Sequence, residues 1–319
     1  MNELKRNRPI TISDGASGLP FSKGLLSSQV MVTGMPQSRA FGVAEEVERR
    51  LLEGDRSSLS SSELADHTLE AIRAIAGETY AVNFLRWRQV EALDVPLVIL
   101  IGGATGAGKS TVATQLAVRF GIVRVVATDA IREVMRAVVA DDIMPTLHVS
   151  SFESDTVVRE QAGNEEDPLV SAFREQAATV GVGIRALIER AAREGTSIVI
   201  EGVHVVPGFF EVDTDHLRVL AVLFVLGVED EVRHRSHLSA RETTTASRPA
   251  SRYVERFEGI RRLQRFVQEQ ALASGVPVVA NHGFDQTIAD VVDLVMERAI
   301  DRATRLRAAE HPPGEGRTA

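Results

Sequence analysis

The stretch that most constrains this chain runs from Leu97 to Phe120 and reads LVILIGGATGAGKSTVATQLAVRF. A β-branched apolar run, Leu97–Ile101, breaks into Gly103-Ala104-Thr105-Gly106-Ala107-Gly108-Lys109-Ser110. This is the phosphate-loop pattern G-x-x-x-x-G-K-S without a substitution. Thr111 and the residues after it place Val112, Leu116 and Phe120 at helical spacing. A strand, a glycine-rich turn and a helix in that order can do one thing well. The glycines let backbone N–H groups wrap a phosphate, and the helix N-terminus adds a favourable dipole. Gly103 through Thr111 are therefore the expected ATP-binding residues. Lys109 should reach the β- and γ-phosphates, and the Ser110 hydroxyl should ligate Mg²⁺.

From Pro96 onward strand and helix signals alternate, which predicts an α/β fold with a five-stranded parallel sheet flanked by helices. The strands are expected at Leu97–Ile101, Arg124–Thr128, Ser197–Glu201, Val219–Leu226 and Val276–Ala280. The helices are expected at Lys109–Phe120, Ala130–Val139, Leu169–Glu194, Glu229–Ala240, Arg252–Ala273 and Asp285–Ala303. Upstream, residues 1–93 read as a small α-rich unit. Ile10 and Ile12 hint at a strand, and helical patterns cover Phe21–Thr33, Arg39–Leu52, Glu63–Ala76 and Thr79–Val90. The serine-rich Asp55–Ser62 reads as a loop. The expected division is 1–93, 94–303 and a disordered tail over 304–319.

Ligands of parallel sheets gather at the strands' carboxyl ends, which singles out two acids. Asp129 follows the second strand and could orient or deprotonate an acceptor hydroxyl; the alternative is a helix N-cap worth about 1 kcal/mol. Arg132 and Arg136, four apart, could hold an anionic substrate or form a solvated helix face. Glu201 closes the third strand and suits a magnesium or water-positioning role. His204 and His148 are weaker candidates, since a lone loop histidine is commonly structural. After the fourth strand come Arg233, Arg235 and Arg241, candidates for a mobile arginine-bearing lid that includes Thr243–Ser251.

Composition narrows the class. The 319 residues are 44% hydrophobic and 25% charged, with a net charge of −8 and no cysteine. That balance suits a soluble globular protein and disfavours a nucleic-acid binder, and it rules out disulfides and thiolate metal sites. No apolar run approaches a membrane span, so a cytoplasmic protein with a small-molecule substrate and neither membrane nor nucleic-acid partner is expected. The oligomeric state is left open.

Two resemblances sharpen this reading. Arg8-Pro9-Ile10-Thr11-Ile12 followed by Pro20-Phe21-Ser22-Lys23-Gly24-Leu25-Leu26 resembles the ATP-cone module, with a plain helical cap as the alternative. The resemblance implies a possible second nucleotide site that uses Arg8 and Lys23. More of the chain resembles the 2-phosphoglycerate kinase family. The marks are Phe21-Ser22-Lys23-Gly24, the phosphate loop, Thr128-Asp129-Ala130-Ile131-Arg132, Leu147-His148-Val149-Ser150-Ser151 and Glu201-Gly202-Val203-His204 through Gly208. Ile260–Gln264 and Val276–Asn281 add to them. That resemblance implies ATP-dependent phosphorylation of 2-phosphoglycerate to 2,3-bisphosphoglycerate. Lys109, Asp129 and Arg233 would be catalytic, and Asp129, Arg132, Arg136, His148, Ser150, Ser151 and His204 would bind substrate. Ser110 and Glu201 would hold the metal. Position 152 is phenylalanine where the family pattern suggests tyrosine, which leaves another small phosphorylated hydroxy acid as an alternative acceptor. A nucleotide-sensing regulator is the reading from a different class.

Overall fold

The computed structural model describes residues 10–13, 18–54, 57–157, 167–210, 214–240 and 250–310. The chain divides into two compact units, residues 1–94 with 118–121, and residues 95–117 with 122–319.

In the first unit, strands β1 (Thr11–Ser13) and β2 (Gly18–Pro20) pair antiparallel, and β3 (Ser58–Leu59) lies parallel to β1 on its other side. The Asp55–Ser62 segment thus contributes a short strand where the serine-rich composition suggests only a loop. Helices α1 (Lys23–Met31), α2 (Gln37–Glu53), α3 (Ser61–Ile75) and α4 (Glu78–Glu91) complete the unit. Ser22 caps α1, and α3 opens with a full capping box in which Ser60 and Glu63 satisfy each other's backbone N–H groups. That cap starts α3 two residues ahead of the expected Glu63. The core is small and apolar, with Val30, Met35, Val43, Val47 and Ile72 fully buried.

The second unit is built on β4 (Leu97–Gly102), β5 (Arg124–Ala127), β6 (Ile198–Glu201), β7 (Leu220–Gly227) and β8 (Val278–Ala280). All pairs are parallel and the spatial order is β5-β6-β4-β7-β8. The central β4 is buried on both faces, which explains its unbroken Leu-Val-Ile-Leu-Ile run. From β4 the chain leaves toward β5, and from β6 it crosses to β7 on the other side. That reversal opens a crevice at the carboxyl ends of the central strands.

Helix α5 (Lys109–Arg119) follows the phosphate loop, and α6 (Thr128–Val138) follows β5 without a connecting residue. Two 3₁₀ turns, Pro145–His148 and Ser151–Val157, lead toward α7 (Pro168–Glu194). Asp167 caps α7 by accepting from the Leu169 N–H, Pro168 fixes its first turn, and Gly195 ends it at φ 61°. A short α8 (Thr214–Leu217) precedes β7, and α9 (Glu231–Ala240) follows it. The expected helix over Arg252–Ala273 is two helices, α10 (Ala250–Glu255) and α11 (Phe257–Ala273), separated at Arg256. The last helix, α12 (Phe284–Glu310), runs past the expected start of the tail at 304. Its apolar face continues through Ala299, Ala303 and Leu306, all buried, so the packing does not stop at 303. Residues 311–319 lie outside the described residues. No described helix is long and apolar enough to cross a membrane.

Candidate active site

The phosphate loop takes its shape from close approaches that only glycine permits. Gly103, Gly106 and Gly108 sit at φ 132°, 87° and 90°. A Cβ on Gly103 would lie 2.3 Å from the Leu226 carbonyl oxygen, and one on Gly108 would lie 2.6 Å from Asn281 Nδ2. The loop is held from outside as well. Asn281 donates to the Ala107 carbonyl at 3.0 Å, His234 Nε2 to the Thr105 carbonyl at 2.8 Å, and His237 Nδ1 to the Gly106 carbonyl at 3.2 Å. Burial keeps the His234 imidazole below its ordinary pKa.

A cavity of about 280 Å³ opens at the carboxyl ends of β4, β5 and β6. Lys109 and Ser110 line it from the loop. The buried Lys109 ammonium donates to the Ala104 carbonyl at 2.9 Å. The Ser110 hydroxyl donates to Glu201 Oε1 at 2.8 Å, and Glu201 is itself only 7% exposed. A hydroxyl and a carboxylate side by side beneath a phosphate loop are hard oxygen donors of the kind that hold Mg²⁺ together with substrate phosphates. The residues present fit that ion.

Asp129 lines the same cavity, exposed in the first turn of α6. The strand ends one residue earlier than expected, and the N-cap is Ala127 with no side-chain cap bond. The carboxylate is therefore not consumed in capping. Arg132 and Arg136 follow on the cavity wall. Arg132 is buried and forks onto the backbone, donating to the Leu147 and Val149 carbonyls at 2.7 and 3.2 Å. Glu133 bridges the two, 2.7 Å from Arg132 and 2.8 Å from Arg136. The Arg136 pair is surface-exposed, worth about 1 kcal/mol at most and readily exchanged for a phosphate.

The far wall is the segment 148–152. His148, Ser150 and Ser151 line the cavity as expected, with His148 Nε2 also 2.9 Å from the Val139 carbonyl. Arg252 closes the rim. It donates to Ser150 Oγ at 3.2 Å, forms a two-point ion pair with Glu153 and lies over the Phe152 ring, which also packs against Tyr253.

Two expected site residues stand away from the cavity. His204 does not line the cavity; it is fully buried behind it, because it points inward between α6 and α7. Arg233 does not line it either. Helix α9 turns His234 and His237 onto the loop, leaving Arg233 on another face, while Arg235 packs 3.7 Å over the Phe257 ring. Arg241 and most of the expected lid lie outside the described residues; among the described arginines after β7, Arg252 reaches the cavity. In the first unit Lys23 is engaged with Glu48 at 3.0 Å, which raises its pKa, and Arg8 lies outside the described residues.

On the other side of the loop, Thr111, Asn281, Phe284 and Thr287 line a cavity of about 320 Å³ that also borders Gly106 and Gly108. Phe284 stands 52% exposed there, an aromatic face available for stacking.

No family model matches the chain. Curated relatives match along nearly its full length. A 2-phosphoglycerate kinase from Thermococcus kodakarensis is 36% identical over 289 residues, covering 91% of this chain and 97% of that protein. The chain belongs to the 2-phosphoglycerate kinase family. Enzymes of the same name from Methanopyrus kandleri and Methanothermobacter thermautotrophicus are 34% and 38% identical, over 92% and 86% of this chain. Among solved structures, a gluconokinase from Sinorhizobium meliloti overlaps 68% of the chain at 16% identity and a TM-score of 0.35, too low to bear on the fold.

Proposed function

We propose that the protein transfers the γ-phosphoryl group of ATP to the free hydroxyl of 2-phosphoglycerate, giving 2,3-bisphosphoglycerate and ADP. One observation carries this reading. Lys109, the Ser110–Glu201 pair and Asp129 share a single cavity with three arginines, Arg132, Arg136 and Arg252. A phosphate donor and an anionic acceptor are thereby provided for at the two ends of one small space.

In this reading residues 103–111 wrap the ATP phosphates, and the cavity beside Asn281 and Phe284 takes the base. Lys109 leaves the Ala104 carbonyl for the β- and γ-phosphates, where its charge is worth most in the transition state. Ser110 and Glu201 hold Mg²⁺, which offsets phosphate charge when bound. Arg132, Arg136 and Arg252, with His148, Ser150 and Ser151, receive the acceptor's own phosphate and carboxylate. Asp129 accepts the hydroxyl proton as that oxygen bonds to the γ-phosphorus. The bridging P–O bond breaks at the same time, and its electrons leave with ADP. The second unit, through the end of α12 at Glu310, forms the kinase domain. Residues 1–93 form an ATP-cone-like domain, supported by the β1–β2 hairpin over four helices and a cavity of about 660 Å³ floored by Phe84 and Trp87.

The test is a comparison of acceptors at saturating ATP and Mg²⁺: 2-phosphoglycerate, 3-phosphoglycerate, glycerate and phosphoenolpyruvate. The reading expects kcat/KM for 2-phosphoglycerate to exceed that for glycerate by 10³-fold or more, since three arginines would be left without their phosphate. Equal turnover of glycerate would reject the assignment of the arginine wall.

A further inference from the structure

Behind the cavity, buried polar side chains form a chain of hydrogen bonds that no step of the transfer uses. Thr128 Oγ1 lies 2.9 Å from His204 Nδ1, and His204 Nε2 lies 3.0 Å from Gln176 Oε1. Gln176 Nε2 donates to the Thr146 carbonyl and, at 3.1 Å, to the Val149 carbonyl. Thr128, His204 and Gln176 are each 0% exposed.

Donor and acceptor roles follow from one end of this chain. Two carbonyls face the Gln176 amide nitrogen, so its oxygen must face His204. An oxygen there requires a hydrogen on Nε2. Burial holds the imidazole neutral, well below its ordinary pKa at about 4, and the nearby Arg132 and Lys109 charges act in the same direction against Asp129. A neutral ring with a hydrogen on Nε2 has a lone pair on Nδ1, which accepts from the Thr128 hydroxyl. Thr128 has no freedom to turn away. A Cβ on Gly202 would lie 1.7 Å from Thr128 Oγ1, so the threonine is pressed onto the Glu201–Gly202 turn.

We propose that His204, as its Nε2–H tautomer, is a positioning residue for the acceptor half of the site. At one end it fixes Thr128, and with it the first turn of α6 that presents Asp129. At the other it fixes Gln176, which pins the backbone of 146–149 and so places His148, Ser150 and Ser151. The nucleotide half is built from other elements, β4, α5 and the histidines of α9. The proposal rests on the kinase reading for its substrate, though not for its geometry.

The test combines steady-state kinetics with two measurements that need no acceptor. Gln176→Met keeps the volume and loses all three side-chain bonds. It should raise KM for 2-phosphoglycerate by about 10- to 100-fold, the usual effect of losing such a supporting partner, and leave KM for ATP within about threefold. Thr128→Val should lower kcat by about tenfold, and Thr128→Ser should restore it. Amide exchange over residues 145–152 should quicken in Gln176→Met while residues 103–111 stay protected. The ¹⁵N spectrum of the parent imidazole at pH 7 should show the Nε2–H neutral form. Both KM values rising together, unaltered kinetics in a folded variant, or an Nδ1–H or charged ring would each overturn the relay. A parent that ignores 2-phosphoglycerate but shows the expected spectrum and exchange would instead refute the acceptor assignment alone.

Discussion

The neutral state of His204 has a consequence for stability that can be worked from its surroundings. In the unfolded chain the imidazole titrates near 6.5, and in the fold burial lowers this to about 4. Between those values the unfolded state binds the proton and the native state does not, so stability rises with pH across the window and falls as pH drops. Above about 6.5 the group contributes its full effect, and below about 4 the loss is complete. At about 1.4 kcal/mol per pH unit, the complete loss is about 3 kcal/mol, of which about 2 kcal/mol has gone by pH 5. Other groups titrate in the same range, so the informative quantity is the difference between the parent and His204→Gln. Urea unfolding followed by circular dichroism at pH 7.5 and pH 5 measures it. Tryptophan fluorescence does not serve, because the single tryptophan, Trp87, belongs to the first unit. The parent's advantage should shrink by about 2 kcal/mol on acidification. An advantage that is equal at both pH values would mean that the ring titrates normally and is not locked between Thr128 and Gln176.

Asp129→Asn should lower kcat by roughly 10²- to 10⁴-fold with ADP affinity unchanged, because Asp129 caps nothing and asparagine cannot accept the proton. Its stability cost, read by thermal unfolding, should stay within about 1 kcal/mol, the value of a charge in a helix's first turn. Arg252→Met should raise KM for 2-phosphoglycerate by about tenfold or more and leave KM for ATP near the parent's, since the guanidinium faces Ser150 and not the loop. Gly202→Ala should destabilise the protein by about 1–3 kcal/mol or more, since its methyl group would displace Thr128.

The sheet and the phosphate loop were legible because their signals are local. An apolar run buried on both faces, a glycine pattern and a 3.6-residue period need no knowledge of distant chain. Asp129 and Glu201 were legible for a topological reason: Glu201 ends a parallel strand, and Asp129 stands two residues past the end of another. What escaped the sequence depends on partners far apart along it. His204 reads as a loop histidine until Gln176, on α7, shows that it faces inward. A hint was present, since Gln176 interrupts the apolar stripe of Ala172, Phe173, Ala177 and Val180 on α7. Arginines are scattered from 233 to 252, and only the packing of Tyr253 on Phe152 and of Arg252 on Glu153 shows that Arg252 meets the cavity. The two-residue β3 has no periodicity to read at all.

In the proposed reaction one cavity joins the γ-phosphate of ATP to the free hydroxyl of a phosphorylated glycerate. The most direct test follows the ³¹P spectrum of purified protein with ATP, Mg²⁺ and 2-phosphoglycerate. A second phosphate ester should grow on the glycerate in step with ADP, require all three components, and fall to a small fraction of the parental rate in Lys109→Ala. ADP released with inorganic phosphate and no new ester, or an ester that forms as fast without Lys109, would contradict the account.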